Sequence, residues 1–218
     1  PYIASAITDV LASTFTDFEL LVIDDGSTDD TAGIIESFHE PRIRLIRNGC
    51  NIGLTASLNK GLDAAQGRYI ARMDADDRMH PERFAKQIAA MEADPGLALI
   101  ACCVEQINAD GEVTGVWTTD RKCITEASIR AMMPRTNCIA HSTVIMRHDA
   151  IGKMRYDGPN EDWDLWLRML ARGKRMAKLP EPLVQLRITP GSFMGILRKR
   201  VPLERRLLRA RSFFLRHE

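Results

Sequence analysis

Phe18-Glu19-Leu20-Leu21-Val22-Ile23-Asp24, followed at once by Asp25-Gly26-Ser27-Thr28-Asp29, is the segment from which the architecture can be read. The run from 18 to 24 is apolar at nearly every position, as expected of a strand buried on both faces by helices. It breaks into a carboxylate pair and a glycine turn, and a helical pattern resumes over 28 to 38. Ser27 or Thr28 is the expected cap of that helix, and Ser27 with Asp30 has the spacing of a capping box. A strand feeding a helix is the repeating unit of α/β folds.

Working outward, residues 2 to 13 read as a helix, and the βα order repeats with a strand near Ile43 to Ile46. A helix follows that carries Leu54, Leu58, Leu62 and Ala65 on one face, stopped by Gly67. The strand Tyr69 to Met73 comes next, then a helix opened by Pro81 with Phe84, Ile88 and Met91 inward, a strand at Leu97 to Val104, and a Gly111 turn into Val113 to Trp117. The second half is less regular: a helix at 124 to 132, a strand at Ser142 to Arg147, a helix from about 161 to 172, short strands near 175 to 178 and 183 to 188, and a C-terminal helix interrupted by Pro202. The expectation is a mostly parallel central sheet flanked by helices, turning mixed in the second half. Because the chain opens in mid-helix at Pro1-Tyr2-Ile3, a further strand is expected upstream of the first βα unit.

At 218 residues, 45% hydrophobic and 27% charged, the chain reads as one main domain over 1 to 192 with a basic helical tail over 193 to 218, and not as a disordered or fibrous protein. Thirty basic against 29 acidic residues leave a net charge of +1, which gives no electrostatic reason to bind nucleic acid. Five cysteines without a C-x-x-C pair exclude a disulfide framework or zinc ribbon and fit the cytoplasm. No apolar run approaches the roughly 20 residues of a membrane span. The arginine-rich tail, with Leu203, Leu207 and Phe213 among its apolar positions, suits peripheral contact at the inner face of a membrane.

Three constellations carry chemistry. Asp74-Ala75-Asp76-Asp77 follows directly on the strand ending at Met73, and ligands of open α/β sheets bind outside the carboxyl ends of strands. Hard carboxylate oxygens there suit Mg²⁺ or Mn²⁺ bridging to nucleotide phosphates; an acidic turn capping the next helix is the plainer alternative. Asp24-Asp25 ends the first strand and can read a base. In Asn160-Glu161-Asp162-Trp163-Asp164-Leu165-Trp166, helical spacing puts Asp162 on the face of Leu165, Trp166 and Met169, where partial burial would raise its pKa toward that of a general base. Glu161 and Asp162 would also complement the helix dipole. His141, before a strand, is a candidate contact to phosphate or metal, or a satisfied core histidine.

Together with Asn51-Ile52-Gly53-Leu54, Ala71-Arg72-Met73-Asp74-Ala75-Asp76-Asp77 and Glu161-Asp162-Trp163-Asp164-Leu165-Trp166-Leu167-Arg168, the opening segment resembles family 2 glycosyltransferases of the GT-A fold, over residues 1 to about 192. The resemblance implies an inverting transfer from a nucleotide-sugar, a UDP-sugar before others, to a saccharide or lipid-linked acceptor hydroxyl in cell-surface polysaccharide or glycolipid synthesis. It implies that Asp25 reads the base, with Asp24, Asn51, Ala75, His141 and Glu161 also lining the donor site. Asp74 and Asp76 would hold the ribose and the metal-bridged diphosphate, and Asp162 would be the base. Where many members carry Arg-x-His-Pro-Gly-Ser, this chain reads Arg187-Ile188-Thr189-Pro190-Gly191-Ser192, so no histidine ligand is carried over. The competing readings are a nucleotidyltransferase-like enzyme, against which the Glu161-Asp162 helix argues, an aspartyl phosphatase, and a non-catalytic nucleotide-sugar-binding module.

Overall fold

A computed structural model describes residues 1–189, in the order α1 (Ile3–Leu11), β1 (Leu20–Asp24), α2 (Thr31–Glu36), β2 (Ile43–Arg47), α3 (Leu54–Ala64), β3 (Tyr69–Ala71), β4 (Arg78–Met79), α4 (Arg83–Ala93), β5 (Leu97–Ile107), β6 (Val113–Val116), α5 (Thr118–Lys122), α6 (Glu126–Met132), β7 (Ile145–Arg147), α7 (His148–Ile151), α8 (Glu161–Ala171) and β8 (Arg175–Arg187). The basic tail expected over 193 to 218 and its membrane role lie outside the described residues. Among those residues no helix is long and apolar enough to cross a membrane.

β1 and β2 pair in parallel, Leu20 opposite Ile43 through Asp24 opposite Arg47. The other six strands form a second sheet in the order β3-β7-β5-β8-β4, with β6 added to β5. The α/β class stands, but the parallel share is smaller than expected. Parallel pairing is confined to β1–β2 and β5–β8, while β3–β7, β4–β8, β5–β6 and β5–β7 are antiparallel, so the mixed character begins at β3. β1 is also less covered than its composition implies: Leu20 to Ile23 are partly exposed, since β2 is its one strand partner among the described residues.

β5 is the central strand. Its first eight positions, Leu97 to Val104, are all buried, because it lies between β7 and β8 with helices on both faces. Leu99 and Ala101 pack with Ile129 of α6 and Leu165, Trp166 and Met169 of α8. Leu97 and Ile100 join Phe84 and Met91 of α4 on the other side. Two short strands were expected near 175 to 178 and 183 to 188. Instead β8 is one 13-residue strand, and shifts of register around Cys103 absorb Pro180 and Pro182.

A buried ion pair pins the short helix α5, which carries no apolar periodicity. Lys178 Nζ donates to the Asp120 carboxylate, to Asp120 O at 2.9 Å and to Cys138 O at 2.6 Å, and Val104 N donates to Asp120 Oδ2 at 2.9 Å. All three ammonium protons and both carboxylate oxygens thereby have a partner, the condition under which a buried charge pair is tolerable.

Candidate active site

At the carboxyl end of β1, Asp24 turns inward: its Oδ1 accepts from Ser27 N at 2.9 Å, and Asn48 N donates to its carbonyl at 2.9 Å. The expected cap from Ser27 or Thr28 does not form. α2 begins later, at Thr31, with no side-chain cap, and the Ser27 amide that a capping box would offer to Asp30 is bound by Asp24. Asp25 clasps the neighbouring loop. Its Oδ1 accepts from Asn48 Nδ2 and Ile52 N and its Oδ2 from Gly53 N, each at 2.9 Å. These donors, Ile52 N–H first, hold its carboxyl below the usual range. Gly26 closes the clasp: with φ +77°, a Cβ there would stand 2.7 Å from Asn51 N. Asn51 is exposed on the same loop, its Oδ1 accepting from Gly53 N at 3.1 Å.

Beyond β3 the chain enters the acidic loop. Arg72 binds Asp74 through both guanidinium ends, and Ser142 Oγ donates to Asp74 Oδ2 at 2.8 Å. Asp77 is buried; its Oδ1 accepts from Arg187 N at 2.8 Å, and its Oδ2 has no partner among the described residues. Burial, then the charge of Asp74, raises the pKa of Asp76 and pushes that of Asp77 up to about 7. Asp74, Asp76 and Asp77 can each present one oxygen within 4.8 Å of the others. Ala75 sits exposed between them. With Arg72 offsetting one of three carboxylates, the excess charge and the orphaned Asp77 oxygen fit a hard divalent cation.

The loop is braced from behind. Arg187 donates from Nε to Asp76 O at 2.7 Å and from Nη1 to Asn108 O at 2.6 Å and Ala109 O at 2.8 Å, and lies 4.2 Å from the Tyr2 ring centroid. Arg83, fully buried, donates to Arg72 O at 2.9 Å and to Gln87 Oε1 at 3.0 Å.

The third wall is the start of α8. Asp162 accepts from Asn137 Nδ2 at 2.8 Å and from Trp163 N at 2.6 Å, yet burial and then the charge of Glu161 raise its pKa to about 6. Burial also raises Glu161. His141 is enclosed, with Nε2 3.0 Å from the Tyr156 hydroxyl, Nδ1 3.7 Å from Glu161 Oε1 and its ring edge-on to Trp166 at 5.8 Å. Burial, then the nearby Arg72 charge, hold its pKa well below the ordinary value, so the ring is neutral. Asp164 points away, bound to Arg168 at 2.7 Å. Arg72 acts electrostatically on Asp74, His141, Tyr156, Glu161 and Asp162 alike, which makes the acidic loop and the start of α8 one site.

Of the residues expected to matter, Asp74, Asp76, His141, Glu161 and Asp162 converge here, Asp25 and Asn51 form the adjoining clasp, and Asp24 serves the turn. Ser142, Asn137 and Tyr156 are brought in by the fold without a motif of their own. Arg72, two positions before a carboxylate at a strand end, and Arg187, the arginine of the segment read against Arg-x-His-Pro-Gly-Ser, did leave a readable signal.

A family model described as glycosyl transferase family 2 matches residues 1–155. The chain is 32% identical over 172 residues to WfaP of Escherichia coli, a UDP-Glc:alpha-D-GlcNAc-diphosphoundecaprenol beta-1,3-glucosyltransferase, covering 78% of this chain and 66% of that protein. Among solved structures, S. aureus TarS 1-349 in complex with UDP-GlcNAc superposes with a TM-score of 0.76 at 18% identity, covering 99% of this chain and 62% of that one. The mannosyltransferase PcManGT from Pyrobaculum calidifontis, in complex with GDP-Man and Mn²⁺, gives 0.69 at 16% identity, covering 98% of this chain and 66% of that one. The chain thus spans about two thirds of the length of these proteins. The strand-end acidic loop, the α8 carboxylates and the mixed α/β sheet are accounted for together by one conclusion: this is a glycosyltransferase of the GT-A fold, and it belongs to glycosyl transferase family 2.

Proposed function

We propose that this chain moves a hexose from a nucleoside-diphosphate-sugar to a saccharide hydroxyl, with inversion at the anomeric carbon, in the assembly of a surface polysaccharide or glycolipid. The observation that carries the proposal is the pairing of Asp74, Asp76 and Asp77 with Asp162 across Arg72. Asp25 would read the base of the nucleotide, with Asn51 lining the donor site beside it. Asp74 and Asp76 would hold Mn²⁺ or Mg²⁺, which when bound offsets charge on the diphosphate. Asp162 accepts the acceptor proton as its oxygen attacks C1; the C1–O bond to the diphosphate breaks, and the nucleoside diphosphate leaves with the bond's electrons. Asn137 and the Trp163 amide fix that carboxylate in place. A uridine donor and an undecaprenyl-diphosphate-linked acceptor are supported by the likeness to WfaP, a UDP-Glc:alpha-D-GlcNAc-diphosphoundecaprenol beta-1,3-glucosyltransferase.

Calorimetric titration with UDP, with and without MnCl₂, tests this. Metal-dependent binding that Asp76→Ala abolishes supports the reading. Binding of GDP in place of UDP changes only the donor. Failure of every nucleoside diphosphate, with or without metal, refutes it.

A further inference from the structure

A concavity of about 500 Å³ is framed by α7, the segment after it and the end of α8. Its basic side chains are Lys153, Arg155, Arg168, Arg172 and Lys174, against the single acid Asp157. Two of these cations are already neutralised, Arg155 by Asp63 and Arg168 by Asp164. Lys153, Arg172 and Lys174 make no side-chain hydrogen bond or ion pair among the described residues. Lys153 and Arg172 are exposed and Lys174 is half-buried, so these three side chains are free to meet an anion that enters the cleft.

The cleft adjoins the active site through one residue. Tyr156 lines it, while the hydroxyl of the same side chain meets His141 beside Glu161. Helix α8 gives the scale: Arg168 follows Asp162 by six positions and Arg172 by ten, which is about 9 and 15 Å of helix at about 1.5 Å per residue. An acceptor whose hydroxyl lies at Asp162 would have to extend about 15 Å along α8 for its anionic part to meet Arg172, the cation of this helix left unpaired among the described residues. The floor, with Ile151, Met154 and Tyr156 buried, is apolar and concave. Among the described residues the exposed large apolar side chains, Ile52, Leu54, Val113 and Val116, do not line this cleft.

We propose that the cleft rimmed by Lys153, Arg172 and Lys174 binds a phosphate or diphosphate group carried by the acceptor. The role of that group in transfer rests on the function proposed above; the anion site itself does not. Lysine and arginine donors give charge-assisted hydrogen bonds to phosphate oxygens, so removing three should weaken binding by about tenfold or more.

The test is calorimetry of the full chain with inorganic pyrophosphate in EDTA, comparing the wild type with the triple variant Lys153→Gln/Arg172→Gln/Lys174→Gln and with Asp76→Ala. All three substituted residues sit at the surface, and titration with UDP and MnCl₂ on the triple variant checks that the donor site is intact. Pyrophosphate binding that falls at least tenfold in the triple variant and survives in Asp76→Ala supports the site. Binding that persists in the triple variant, or is lost with Asp76→Ala, puts the anion in the donor site and overturns the proposal, as does no binding at all. If the triple variant instead loses only its attachment to phosphatidylglycerol vesicles, the patch is a membrane surface and the proposal falls. Loss of UDP binding by the wild type would refute the transferase reading while leaving the pyrophosphate result standing.

Discussion

Asp162 holds two hydrogen-bond donors and still has its pKa raised to about 6, because burial and the neighbouring Glu161 outweigh what Asn137 and the Trp163 amide contribute. A base works deprotonated, so kcat/KM should rise with pH through an acidic limb centred near 6, measurable as a pH–rate profile. Asp162→Asn should cut kcat by about 10² to 10⁴ with UDP affinity unchanged. Stability carries the same signature with a definite sign. Between pH 3.8 and about 6 the folded chain keeps a proton that the unfolded chain has released, so wild-type stability relative to Asp162→Asn should fall as pH rises through that window. Urea unfolding at pH 4 and pH 6.5 would show it; an unchanged difference between the two proteins would contradict the assignment. The carboxylate's position was legible in the sequence because helix periodicity places it on the inward face. Its partner Asn137 was not, since a contact across 25 residues between a loop and a helix leaves no periodic trace.

At the scale of elements, the turn after β1 and the loop at 50 to 53 depend on each other. Ser27 and Thr28 looked like caps because their residue types favour that role; Asp24 wins the Ser27 amide, and the helix starts three residues further on. Gly26→Ala puts a methyl 2.7 Å from a backbone amide at a φ that L side chains rarely adopt. It should destabilise the chain by about 1 to 3 kcal/mol and weaken UDP binding with it, whereas Gly111→Ala, with open space around its Cβ, should leave UDP binding unchanged. The strands near 175 and 183 were each readable, but their union into β8 was not. The shift of register opposite Cys103 is a property of the pairing and not of either strand alone. The same holds for the smaller parallel share: burial patterns reveal which segments are strands, while strand direction is settled by connections that periodicity does not encode.

For the molecule as a whole, stability rests on a few polar points inside an apolar body. Lys178→Met would strand the Asp120 carboxylate in the core and should cost about 3 to 5 kcal/mol in chemical denaturation. UDP with MnCl₂ at a hundredfold excess over Kd should stabilise the wild type by about 2.7 kcal/mol, visible as a rise in Tm, and Asp76→Ala should lose that rise. Arg187 matters differently. Its amide holds Asp77 across 110 positions of sequence, and its side chain ties Asp76 to the turn at 108 and 109. The acidic loop is therefore finished by nearly the last described strand. On a ribosome, a nascent chain would already display all its carboxylates long before it could organise them, and a chain ending short of residue 187 should bind Mn²⁺ no better than an unfolded acidic peptide. Cation affinity thus becomes a clock for this protein, marking the moment β8 has closed on the acidic loop.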